Sequence, residues 1–64
     1  MTAFEIKMRK RLHTPADVRR QLFIEENAMA GCECDRDDAG VRYAKRNIAT
    51  LAKILDEMLT PEFV

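Results

Sequence analysis

The chain contains no serine and no tryptophan. It has one histidine, one tyrosine, two cysteines, two glycines and two prolines in 64 residues. Each shortage removes a class of function. Without serine there is no serine nucleophile, and His13 is the sole imidazole available for acid–base work. A Cys–His pair would need a pocket that so short a chain scarcely encloses. No glycine-rich loop is present to cradle a phosphate. No apolar run approaches the ~20 residues of a membrane-spanning helix, and no secretory hydrophobic segment opens the sequence. Net charge is missing too, because eleven Lys and Arg balance eleven Asp and Glu. An enzyme, a cofactor and a membrane are therefore not expected, and the cytoplasm is the expected compartment.

With 47% hydrophobic residues the composition is that of a globular domain. A chain of this length buries only about 60% of the surface its unfolded form exposes, so it needs a staple or a partner subunit. Cys32 and Cys34 lie too close together to close a useful loop, and a disulfide between them would be strained. Their spacing is one residue short of a structural zinc pair and no second pair follows, although two chains together would offer four thiolates. Reduced thiols in a turn are the simpler expectation. Asp35-x-Asp37-x-x-Gly40 begins like a calcium loop but has Ala39 at the fifth position and Arg46 at the twelfth. Neither can supply the oxygen ligand needed there, and helix capping accounts for the aspartates.

The charges are segregated. Residues 1–20 hold six basic and two acidic groups, a balance of +4. Residues 21–40 hold one basic and six acidic groups, a balance of −5, and residues 41–64 hold four and three, a balance of +1. Such asymmetry suits nucleic acid or steers one half of a molecule toward the other half of its twin, and the acidic block favours the twin.

Phe4, Ile6 and Met8 alternate with Glu5, Lys7 and Arg9, the period of a half-buried strand over about residues 4–9. A helix would align Phe4, Met8 and Leu12 but leave Ile6 on the wrong side, and no cap is expected before it. A lone strand has no partner in its own chain, so it is expected to pair antiparallel with the same strand of a second chain. Thr14-Pro15-Ala16-Asp17 opens a helix over about 15–30, with a threonine cap, proline in the first turn and Gly31 as a left-handed stop. On it Val18, Leu22 and Met29 share a face, while Phe23, Ile24 and Ala28 point elsewhere. A second helix, about 38–59, repeats Val41, Ala44, Ile48, Leu51, Leu55 and Met58 at 3-4-3-4-3 spacing before Thr60-Pro61 ends it.

The expected fold is a single domain, 1–64, mostly α with one β-strand. It is a β-α-α protomer whose two helices form a hairpin, assembled as an intertwined homodimer through the strand pair, with a loose C-terminal tail. The expected core and dimer residues are Phe4, Ile6, Met8, Val18, Leu22, Met29, Val41, Ile48, Leu51, Leu55 and Met58. Lys7, Arg9 and Arg11 would share the outer face of the strand, and Arg42, Arg46 and Lys53 the polar face of the second helix. A two-stranded ribbon carrying Lys7, Arg9 and Arg11 is one way to contact DNA, against which stand the zero net charge and the acidic connection.

The run LHTPADVRRQLFIEENAMAGCECDRDDAGVRYAKRNIATLAKIL, from Leu12 to Leu55, resembles a small family of lambdoid phage early proteins encoded between the exonuclease and excisionase genes. The resemblance implies two helices and one strand in an intertwined dimer, expressed early in infection in the host cytoplasm and favouring lytic development. It carries no catalytic motif and no site residues. The expected function is regulation by protein–protein interaction through an apolar groove of a homodimer, with an unidentified host or phage protein as partner. A β-ribbon DNA-binding regulator is the alternative.

Overall fold

Thr2 caps a helix where a strand was expected. Its hydroxyl accepts the Glu5 amide at 3.2 Å and its carbonyl accepts the Ile6 amide at 3.1 Å. In the computed structural model, which describes residues 1–60, three helices follow: α1 Ala3–Arg11, α2 Pro15–Cys34 and α3 Asp38–Leu59. No strand occurs among the described residues. The β-α-α protomer, the intermolecular strand pair and the intertwined dimer and DNA-reading ribbon built on it are thereby overturned. The physical reason is local. A strand at 4–9 would leave its amides without a ladder, whereas a helix pairs them within the segment. Glu5 in the first turn and Arg9, Lys10 and Arg11 in the last complement the helix dipole. Nine residues are too few for a helix to persist alone, so α1 depends on what it packs against.

Thr14 accepts the Asp17 amide at 3.2 Å, and the Asp17 carboxylate accepts the His13 amide at 3.3 Å, a reciprocal cap around Pro15. Helix α2 does not stop at Gly31, which is helical, but continues to Cys34. The left-handed residue is Arg36, at φ 58°. The Asp37 amide donates to the Cys32 carbonyl at 2.8 Å and the Arg36 amide to that of Glu33 at 3.2 Å. This is a Schellman termination with arginine in the place that favours glycine. Asp37 then caps α3 by accepting the Gly40 amide at 3.0 Å. Gly40 is closely approached, since a Cβ there would lie 2.6 Å from both Asp37 Oδ2 and Cys32 Sγ and would push those side chains aside.

Helices α2 and α3 form an antiparallel hairpin, and α1 lies against α3 without a comparable approach to α2. Met8, Val18, Leu51 and Ile54 form the buried cluster, with Phe4, Leu12, Leu22, Leu55 and Met58 packed against it. Phe4, Met8 and Leu12 thus reach the core as one helical row, and Ile6, expected inside, is 43% exposed. Met29, Val41 and Ile48 are half-buried. The innermost row of α3 is Ala44, Asn47, Leu51, Ile54 and Met58, one step around the helix from the expected seam, with Asn47 only 3% exposed. The C-terminal tail assigned from the sequence lies outside the described residues.

Candidate docking surface

A two-helix hairpin has two broad faces. Helix α1 covers one of them, with Arg9 as its fastening. The Arg9 guanidinium lies 2.8 Å from Glu5 Oε2 on its own helix and 2.8 Å from Glu57 Oε2 on α3, and Lys53 approaches the same Glu5 oxygen at 4.0 Å. These bonds hold Glu57 below the usual carboxylate range and raise the Arg9 guanidinium above its already high value. Behind the pair lies a small cavity of about 190 Å3 bounded by Leu12, Ile54 and Met58. The groove between the helices that the sequence suggested for a partner is therefore occupied at this end by the chain's own first helix.

The opposite face is open. Val41, Ile48, Leu55 and Leu59 follow one another at seven-, seven- and four-residue intervals on the flank of α3 turned away from Glu57, and so away from α1. The first three are half-buried and Leu59 is 54% exposed. On α2, Phe23 is 65% exposed. The expected dimer residues therefore divide in two. Phe4, Met8, Val18, Leu22, Leu51, Leu55 and Met58 serve the protomer's interior, while Met29, Val41 and Ile48 are half-buried outside that cluster and Ile6 is exposed.

The three cations expected on one strand face are separated by the helix. Lys7 and Arg11 share a flank of α1, one turn apart, whereas Arg9 points to α3 and is consumed by carboxylates. Arg11 instead borders a cleft of about 260 Å3 in the gap that α1 leaves beside α2, together with Leu12, Asp17, Arg20, Gln21 and Ile24. Asp17, Arg20, Gln21 and Ile24 stand at i, i+3, i+4 and i+7, a spacing legible in the sequence once α2 is placed. Asp17 is held below its usual range, first by the His13 amide and also by Thr14 and Arg20. Arg20 and Gln21 were not singled out from the sequence, because their role depends on where the end of α1 comes to rest.

At the far end, Cys32 is half-buried against Gly40 and Cys34 is exposed, both as free thiols. No cluster of three or more His, Cys, Asp or Glu side chains suited to a metal ion occurs among the described residues. No helix among them is long and apolar enough to cross a membrane. Comparison of the chain with family models, curated proteins and solved structures returns no match.

Proposed function

We propose that the chain is a non-enzymatic early regulatory protein of a lambdoid phage, acting in the host cytoplasm to favour lytic development through protein–protein contacts. The phage assignment rests on the resemblance of residues 12–55. The mode of action rests on the open face of the hairpin, and above all on Phe23, which is 65% exposed on a helix whose other side is already packed. Only five hydrophobic side chains are buried among the described residues, while Phe23 and Leu59 are more than half exposed. Covering each large apolar side chain contributes about 1.5–3 kcal/mol.

A second copy is the first partner this face suits. With two α2 helices antiparallel across a two-fold axis, Arg19 of one would oppose Glu33 of the other and Phe23 would lie near Ala30, while the two Glu26 side chains would meet near the axis as an unfavourable pair. The arrangement uses the segregated charge of the sequence without any strand. Sedimentation equilibrium tests it. Wild type is expected to be dimeric at micromolar concentration, and Phe23→Asp monomeric with its helical content intact. A wild-type monomer, or a dimer indifferent to Phe23→Asp, would remove this reading.

A further inference from the structure

The cleft between the end of α1 and the first turns of α2 is a different surface from the open face. Successive residues of a helix turn by about 100°, so Ile24 in the cleft and Phe23 on the open face look out about 100° apart around α2. The cleft exists because α1 rests on α3 and leaves its side toward α2 unfilled. Its apolar wall is Leu12 and Ile24, the latter 51% exposed. Its rims are Arg11 from α1 and Arg20 from α2, with Lys7 one turn behind Arg11. Neither arginine makes an ion pair among the described residues, in contrast to Arg9, which makes two. Gln21 adds an amide at the edge, where it donates to Glu25 at 3.5 Å.

We infer that this cleft receives an acidic segment of a partner protein, anchored by one large apolar side chain flanked by carboxylates. The anchor would lie on Leu12 and Ile24, and the carboxylates would accept hydrogen bonds from Arg11 and Arg20 on either side. Three observations choose this occupant. The volume, about 260 Å3, falls below the roughly 300–1,000 Å3 typical of small-molecule sites and suits one side chain. Guanidinium groups bind carboxylates through paired donors, and Arg11 and Arg20 present such donors from opposite walls, among the described residues Arg11 with no salt bridge and Arg20 with only the longer-range attraction of Asp17. Leu12 and Ile24 lie between them, an apolar strip that a peptide side chain covers and a nucleic-acid backbone would not use. The inference names the chemistry of the unidentified partner in the proposed function and shares its premise that the protein acts by binding. It does not depend on the dimer.

Fluorescence anisotropy tests it with a short fluorescein-labelled peptide carrying a Leu-Phe pair between runs of glutamate. The companion probes are a glutamate-only peptide, a peptide with lysine in place of glutamate, and a labelled DNA duplex. At an ionic strength of about 0.15 M, the first probe is expected to saturate the intact protein. Arg11→Glu and Arg20→Glu should each weaken it at least about tenfold, and Ile24→Ser several-fold. Arg42→Glu, on the polar face of α3, should change nothing. The glutamate-only peptide should bind much more weakly, since charge without an anchor leaves the apolar wall in water. Retained binding by Phe23→Asp would show the cleft working apart from the open face, even if the dimer reading fails. Absence of saturable binding, equal affinity for the glutamate-only peptide, or tighter binding of the duplex that the same two arginine variants abolish would each overturn the inference.

Discussion

Arg9 and Glu57, 48 positions apart in the chain, meet at 2.8 Å and fasten the first helix to the last. Glu57 is held below its ordinary value of 4.5 by this bond. A carboxylate whose folded pKa is depressed contributes stability above its unfolded pKa and loses that contribution as pH falls through the folded value. Attachment of α1 should therefore be complete at neutral pH and weaken below about pH 4.5, with Asp17, whose ordinary value is 3.8, following at lower pH. Glu57→Gln should melt a few degrees below wild type at neutral pH. The two should converge as pH falls through the lowered Glu57 value, because protonation then breaks the bond in wild type. Parallel melting curves across that range would show the pair to be idle.

Leu51 is wholly buried and Leu59 is 54% exposed on the same helix. Leu51→Ala should cost about 2–5 kcal/mol by emptying the core. Leu59→Ala should leave protomer stability within about 0.5 kcal/mol and act only on association. Urea titration at dilute and at micromolar protein separates the two effects. Equal losses at both sites and both concentrations would contradict the division of the α3 side chains into interior and open-face rows.

Much of the second and third helices is legible in the sequence. Thr14-Pro15 and Asp37 act as caps because each places a side-chain oxygen over free amides, a relation set within three residues. The first helix is misread for an equally local reason. From the sequence no cap is expected before residue 4, whereas Thr2 is one, and the alternation of Phe4, Ile6 and Met8 outweighs the row Phe4, Met8, Leu12 that the fold uses. Asn47 conceals the innermost row of α3, since a polar residue inside the 3-4 repeat makes the neighbouring seam look cleaner. Gly31 reads as a stop although the chain turns at Arg36, where backbone hydrogen bonds outweigh side-chain preference. The cleft needs the resting place of α1, which no spacing within α2 reveals.

The turn at Arg36 yields a test of its own. An L-residue in the left-handed region costs about 1–2 kcal/mol relative to one in the right-handed helix, and glycine or asparagine tolerates that region better. Arg36→Gly should raise stability by up to about 1 kcal/mol after its greater unfolded-state entropy is subtracted. A drop on thermal unfolding would mean that the arginine side chain contributes something the backbone geometry does not reveal.

The glycines should respond in opposite directions. Gly31 has nothing within 4 Å of a Cβ and lies in a helix, so Gly31→Ala should stabilise the protomer by about 0.5–1 kcal/mol. Gly40→Ala should instead destabilise, because the new carbon meets the capping carboxylate and the Cys32 sulfur at 2.6 Å. Displacing that cap outweighs the gain in helix propensity. Cys32→Ala should relieve Gly40→Ala partly, and a double-mutant cycle measures the coupling.

The uneven attachment of α1 also shapes how the molecule comes apart. Its covalent link leads into α2, yet its packing is on α3, so releasing it breaks the Phe4–Met8–Leu12 row and the Arg9 pair while leaving the α2–α3 turn and its caps intact. The native state is therefore expected to open as two units of unequal strength. Amides of residues 3–11 should exchange through a sub-global opening, and those at the centres of α2 and α3 only through global unfolding. Because Leu12 belongs both to that row and to the basic cleft, a ligand seated there would slow exchange across the whole first helix.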